Sequence, residues 1–123
     1  KTVAQREMEV IKQSQEMREQ ANLLQNLFSK AATLASNILG WATLIIKNKT
    51  EQATEQRQEI LDDYKQLDQE LDEQQEPIKK ICDQMIDESI EFAEETEKAK
   101  KLHFSQGISK PIKEHRSKKI KND

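Results

Sequence analysis

The first 47 residues carry apolar side chains at alternating spacings of three and four. Positions seven apart from Val3 to Ile45 are apolar throughout, and a companion row running from Glu7 to Ala42 becomes small or apolar after its first member. This spacing places both rows on one side of an α-helix. The pattern predicts one continuous helix over about residues 2–47, roughly 65–70 Å long at 1.5 Å per residue.

The phase of the pattern breaks at residues 48–50. After Ile45 the same spacing would place charged and polar residues on the apolar side, whereas the next apolar row starts at Ala53. Asn and Thr suit helix ends, and Asn48 with Glu51 three residues later has the spacing of a capping box. We therefore expect a short turn over residues 48–50, with a straight helix carrying a local stutter as the alternative.

A second apolar row runs from Ala53 past Pro77 without a change of phase. A loop would usually disturb the phase, so the row predicts a second helix over about residues 51–103 that is kinked or tightly restarted near Pro77. Proline is also favoured in the first turn of a helix. A break at Pro77, which would give a three-helix bundle, is therefore the alternative.

Folding the second helix back onto the first brings the two apolar rows together. The expected pairs are Ile45 with Ala53, Ile38 with Ile60, Ala31 with Leu67, and Met17 with Ile81. The sequence thus predicts an all-α fold. Its expected form is an elongated antiparallel helical hairpin or coiled coil over residues 1–104, followed by an extended basic C-terminal tail over residues 105–123.

Apolar side chains cover more than half of the circumference of the first helix between residues 24 and 46. The predicted neighbour at the same height, residues 51–61, is nearly all polar. Leaving the six large side chains that flank the row in water would cost on the order of 10 kcal/mol, which is comparable with the stability of a small domain. These six are Leu27, Leu34, Leu39, Trp41, Leu44 and Ile46. We therefore expect this 24–46 face to dock against partner helices through Leu24, Leu27, Phe28, Leu34, Ile38, Leu39, Trp41, Leu44 and Ile46.

Composition supports a few long helices, because 35% of the 123 residues are charged and only two Gly and two Pro are present. Charge is unevenly distributed: residues 51–97 hold seventeen Asp/Glu and four Lys/Arg, whereas residues 98–123 hold nine Lys/Arg and two Asp/Glu. The basic tail is expected to contact phosphate, anionic lipid headgroups or an acidic protein surface. Its expected contact residues are Lys110, Lys113, Arg116, Lys118, Lys119 and Lys121.

Residues that could carry chemistry are few. The two histidines, His103 and His115, lie at the end of the predicted second helix and in the tail, and no Glu-x-x-His or Gly-rich phosphate motif is present. Cys82 is the single cysteine, which excludes an intramolecular disulfide and favours a reducing compartment. No catalytic residue, metal ligand or cofactor is predicted.

Taken together, these features predict a non-enzymatic structural or interaction subunit. It would pack the 24–46 face against helices of a second copy or of another subunit in an oligomer or larger assembly. The first alternative is a membrane-associating protein that inserts residues 24–46 into lipid with its basic tail at the headgroups. The second alternative is phosphate or nucleic-acid contact through the basic tail.

Overall fold

The structure, a computed structural model, describes residues 2–99 and 107–122. Within these ranges the chain forms four α-helices and no β-strand. The predicted all-α class is confirmed. The helices are α1 (Val3–Ile46), α2 (Thr50–Asp72), α3 (Glu76–Ala99) and α4 (Ser109–Asn122).

The ends of α1 are fixed by local hydrogen bonds. At its start, the Gln5 backbone N–H donates to Thr2 Oγ1 at 3.2 Å, and the Thr2 N–H donates to Gln5 Oε1 at 2.9 Å. This reciprocal capping box satisfies two amide groups that the first helical turn leaves without partners. The helix therefore begins where the predicted apolar pattern begins.

The turn after α1 depends on Asn48, which adopts a left-handed backbone with a φ of 60°. The Asn48 N–H donates to the Ile45 carbonyl at 3.0 Å, and the Lys49 N–H donates to the Leu44 carbonyl at 2.9 Å. These two bonds form a Schellman motif, in which Asn is one of the few residues other than Gly that tolerates the left-handed position. The expected capping box between Asn48 and Glu51 is therefore wrong, because Asn48 ends α1 instead of starting α2.

The predicted second arm is divided into two helices. Residues 73–75 form a turn, so the single kinked helix expected over residues 51–103 is replaced by α2 and α3, as the alternative with a break at Pro77 anticipated. Pro77 lies in the first turn of α3, where its missing N–H removes no helical hydrogen bond. The apolar side chains that α3 buries are Cys82, Ile86, Ile90 and Ala93, whereas the predicted row continues through Ile81 and Phe92, which are exposed. The apolar residues after Pro77 fill both rows, and for that reason the sequence pattern did not reveal the turn.

Short turns reverse the chain after α1 and after α2, and ion pairs join the neighbouring helices. Lys30 Nζ donates to both carboxylate oxygens of Glu70 at 2.9 and 3.0 Å, which ties α1 to an antiparallel α2. Lys79 Nζ lies 3.0 Å from Asp72 Oδ1 across the α2–α3 turn. Because α3 reverses the direction of α2, it runs parallel to α1, and α1 packs against both helices.

The core lies between the C-terminal half of α1 and the helices that cover it. Three of the four predicted cross-helix pairs are buried: Ile45 with Ala53, Ile38 with Ile60, and Ala31 with Leu67. The fourth pair is wrong, because Met17 is 70% exposed and Ile81 is 52% exposed. This pair required α3 to continue along the N-terminal half of α1, whereas α3 folds back onto the C-terminal half.

The N-terminal half of α1 extends beyond the other helices. Residues 3–23, called the arm below, are all exposed, and burial in α1 starts at Leu27. At 1.5 Å per residue the arm is about 31 Å long. The molecule is therefore a helical bundle from which half of its longest helix projects.

The predicted extended tail is also wrong, since residues 109–122 form α4. Pro111 lies in the first turn of α4, where it is compatible with a helix. Ile108 and Ile112 are buried in the core, so one side of this polar segment is anchored by apolar contacts. The helix packs between α2 and α3 and makes no close backbone approach to α1.

Replacement of two leucines tests which side of α1 the bundle covers. Leu34 is 2% exposed, whereas Leu39 is 41% exposed on the same helix. We expect Leu34→Ala to lower the free energy of unfolding by about 2–5 kcal/mol, because it removes buried methyl groups and leaves a cavity. The matched Leu39→Ala should lower it by less than about 1 kcal/mol, as measured by urea denaturation. Similar losses for both variants would contradict the packing described.

Candidate interaction surfaces

Charged side chains from three helices meet where α4 lies against α2 and α3. We call this group the polar cluster. It joins acidic residues of α2 and α3 to cationic residues of α4, and it also includes one tyrosine of α2 and one lysine of α3. Its members are Tyr64, Asp68, Asp72, Lys79, Asp83, Asp87, His115, Arg116 and Lys119.

Asp68 is the most buried carboxylate of the polar cluster, with 3% of its surface exposed. Its Oδ2 accepts from Lys119 Nζ at 2.8 Å and lies 3.1 Å from His115 Nε2. Lys119 also donates to Asp72 Oδ1. Because an unpaired carboxylate is expensive to bury, Asp68 requires these partners from α4.

Arg116 joins α2 to α3. Its Nε donates to the Tyr64 hydroxyl at 2.8 Å, and its Nη1 lies 2.9 Å from Asp87 Oδ1. Its Nη2 lies 3.9 Å from Asp83 Oδ1, too far for a hydrogen bond, and these two buried atoms have no hydrogen-bond partner in the described residues. The guanidinium carbon is 5.5 Å from the centre of the Tyr64 ring, so a cation–π contact adds to this pairing.

The pKa shifts within the polar cluster indicate that its side chains stabilise the fold and are not poised to transfer protons. Burial raises the pKa of the Tyr64 phenol to about 12, and the nearby Arg116 offsets this effect only in part. Burial would lower the pKa of Lys119, but its hydrogen bonds to Asp68 and Asp72 raise it instead. Tyr64 therefore stays neutral and Lys119 stays charged near neutral pH, so neither side chain is poised as a base.

The pKa values of two aspartates of the polar cluster are shifted in opposite directions. Burial alone would raise the pKa of Asp72, but hydrogen bonds from Lys119 and Lys79 outweigh burial and lower it. Burial raises the pKa of Asp83, and the attraction of Arg116 does not compensate. Ionisation of Asp72 therefore favours the folded state, whereas ionisation of Asp83 opposes it.

The six predicted contact residues of the tail divide between two sides of α4. Arg116 and Lys119 face the bundle and bind the acidic residues of their own chain. Lys110, Lys113 and Lys118 are exposed and form no ion pair within the described residues. The side chain of Lys121 lies outside the described residues, as does His103.

The predicted 24–46 face is largely covered by the chain itself. Leu27, Leu34, Ile38 and Trp41 are buried in the core, so they need no foreign surface. The expectation was wrong for these four because it considered only one neighbouring helix, whereas α2 and α3 both pack on this half of α1. Leu24, Phe28 and Leu44 are half-buried, and Leu39 and Ile46 are exposed.

The larger apolar surface that stays uncovered lies on the arm. Val3, Val10 and Met17 are between 61% and 73% exposed. They continue the same seven-residue row that is buried at Ile38 and Ile45. The heptad pattern located this row, but the predicted hairpin paired its N-terminal half with the distal part of the second helix, so the row was expected inside the hairpin.

Other kinds of site find no support in the part of the chain that is described. No group of three or more His, Cys, Asp or Glu side chains there could hold a metal ion. Cys82 is fully buried, and burial together with the neighbouring Asp83 raises its thiol pKa, which is unfavourable for a nucleophile. None of the described helices is long and apolar enough to cross a membrane.

Comparison with known proteins adds no assignment, since no family model, curated protein or solved structure matches the chain.

Removal of the buried carboxylate tests whether the polar cluster holds α4 in place. We expect Asp68→Asn to lower the free energy of unfolding by about 1–3 kcal/mol, because Lys119 and His115 lose a charged acceptor. Backbone amides of α4 should exchange hydrogen faster in this variant. The control Asp62→Asn changes an exposed carboxylate of α2 and should alter stability by less than about 0.5 kcal/mol. Equal effects of the two changes would refute this role for Asp68.

The opposite pKa shifts of two aspartates predict opposite effects on stability. Asp72 has a lowered pKa, so its contribution is present above its unfolded value near 4 and disappears as pH falls through the folded value. Asp83 has a raised pKa, so its ionisation opposes folding at neutral pH, and this opposition disappears as pH falls through its folded value. At pH 7, Asp72→Asn should lower the free energy of unfolding by about 0.5–1 kcal/mol, and Asp83→Asn should leave it unchanged or raise it.

Urea denaturation of these two variants at several pH values between 3 and 7 provides the measurement. The difference between wild type and Asp72→Asn should shrink below about pH 4. A clear loss of stability at neutral pH in Asp83→Asn would show that its pairing with Arg116 outweighs the burial of the carboxylate.

Proposed function

We propose that this chain is a non-enzymatic interaction subunit that binds a partner helix along the arm of α1. The observation that carries the proposal is the row of exposed apolar side chains at Val3, Val10 and Met17 on a helix that projects from a folded bundle. This differs from the sequence-based expectation in location, because the binding surface moves from the 24–46 face to the arm.

The energetics of an isolated helix support this proposal. A helix without tertiary contacts is only marginally stable in water, and helices in proteins gain most of their stability by packing an apolar side. The arm lacks such packing within its own chain, since all of residues 3–23 are exposed. A partner helix on Val10 and Met17 would supply the missing contacts.

The bundle supplies a rigid base for this interaction. Leu27 and Ala31, the first buried residues of α1, belong to the same uninterrupted helix as the arm. The direction of the arm is therefore fixed by the packing of α2 and α3. Pre-ordering of a binding segment reduces the entropy that is lost on association.

Most of the apolar surface that the lipid-insertion alternative requires is buried within the bundle. It required the large side chains of residues 24–46 to enter lipid, but Leu34, Ile38 and Trp41 are buried between helices. Their insertion would require α2 and α3 to separate from α1. The exposed lysines of α4 line an open pocket together with Glu94 and Glu114, and these carboxylates would repel a phosphate.

Site-specific photocrosslinking in the organism that produces the chain tests the proposed function. A photoreactive aromatic amino acid replaces Val10, on the apolar row, in one variant and Lys12, on the opposite side of the arm, in the other. We expect a covalent adduct from the Val10 variant that maps to a helical segment, and little adduct from the Lys12 variant. Far-UV circular dichroism of both variants checks that the helices are intact.

No adduct at Val10, or equal yields at Val10 and Lys12, would contradict the assignment of the arm as a binding surface. A second copy and a different subunit both support the proposed function if they crosslink at Val10 alone. The identity of the crosslinked chain separates these two kinds of partner.

A further inference from the structure

The charges of the arm are not distributed evenly around its helix. Arg6, Glu9, Lys12 and Glu16 follow each other at three- and four-residue steps with alternating sign. Side chains at this spacing are neighbours on a helix and pair favourably. These four residues therefore have complementary charges within the arm itself.

Glu7 and Arg18 lack such neighbours. The four positions three or four residues away from Glu7 are all apolar: two Val, one Ala and one Ile. The corresponding positions around Arg18 hold Ser, Gln, Ala and Asn, none of which is charged. Both side chains are exposed and form no ion pair within the described residues. Each is a charge beside the apolar row that its own chain does not neutralise.

Glu7 and Arg18 lie on the same flank of the apolar row. At 100° per residue they fall within about 80° of the centre of the row formed by Val3, Val10 and Met17, on the side that also carries Ile11. In an antiparallel pair of identical helices, each flank faces the same flank of the partner. Glu7 of one copy would then lie opposite Arg18 of the other, and twofold symmetry would form this ion pair twice.

The length of the arm fits the same arrangement. A register that places residue 7 opposite residue 18 of the second copy also places residue 2 opposite residue 23, so the two arms overlap over their full exposed length. In this register Val10 lies opposite Gln15 and Val3 opposite Asn22, so each valine is one residue away from a small side chain of the second copy, Ser14 or Ala21, which permits close approach of the helices.

The bundle excludes the parallel arrangement. The apolar row of the arm continues into the row that α2 and α3 cover from Leu27 onwards. A parallel copy in register would bring its own bundle into the space that these helices occupy. An antiparallel copy places its bundle at the opposite end of the paired arms, away from the other helices that the structure describes.

We propose that the arm binds a second copy of this chain in an antiparallel orientation, with reciprocal Glu7–Arg18 ion pairs that set the register. This inference rests on the proposed function, since it names the partner helix of the same surface. The paired arms offer few large apolar side chains, so association is weak and depends on chain concentration.

Charge reversal tests the pairing by sedimentation equilibrium at low ionic strength, where exposed ion pairs are least screened. We expect wild type to dimerise, and Glu7→Arg or Arg18→Glu to weaken the dimer roughly tenfold by placing like charges together twice. The double variant Glu7→Arg/Arg18→Glu should regain affinity to within about threefold of wild type. The matched control Glu19→Arg reverses a carboxylate on the side of the arm away from the apolar row and should leave the dimer unchanged.

Failure of the double variant to recover would overturn the antiparallel pairing, as would a wild-type chain that is monomeric at several hundred micromolar. Equal weakening by Glu19→Arg would show a general charge effect in place of a specific pair. If the chain is monomeric but still crosslinks through Val10 to a different protein, the proposed function stands and the second copy is excluded as the partner. If Val10 gives no adduct and the chain is monomeric, both proposals fail.

Discussion

The length of α1 relative to the helices that pack on it determines the rest of the structure. α1 has 44 residues, whereas α2 has 23 and α3 has 24. Because residues 73–75 reverse the chain, both shorter helices cover the same half of α1, and the apolar row of the other half stays uncovered. The stable part of the molecule and its proposed binding surface are therefore two halves of one helix, and the first fixes the direction of the second.

The charge asymmetry of the sequence has a counterpart in the fold. The acidic residues of α2 and α3 approach each other along the groove where α4 lies, and the cations of α4 reduce their mutual repulsion. Asp68 is buried among these groups with Lys119 and His115 as partners. Ile108 and Ile112 anchor the same helix by apolar contacts. The described part of the basic tail is thus part of the folded unit, and among its described cations Lys110, Lys113 and Lys118 face outward.

The heptad pattern predicted the features that depend on periodic burial. It located α1, the turn near residue 48 and the buried pair Ile38–Ile60. It could not distinguish a kink from a turn before Pro77, since apolar residues after Pro77 continue the row of α2 although α3 buries a different row. This error moved α3 along the wrong half of α1. α4 was missed because the residues that face the bundle are a mixture of apolar side chains, such as Ile112, and cations, such as Lys119. The sequence pattern does not show that α2 and α3 form an acidic groove that receives these cations.

A distance between the arm and α3 tests the central claim most directly, namely that α3 returns along the C-terminal half of α1. Spin labels on cysteines at Gln13 and Glu91, in a Cys82→Ala chain diluted with unlabelled protein, can be measured by double electron–electron resonance. The bundle predicts a separation of roughly 40 Å, because Glu91 lies beside the part of α1 about 27 residues beyond Gln13. A separation below about 20 Å would show that α2 and α3 form one continuous arm beside the whole of α1, and would contradict this account.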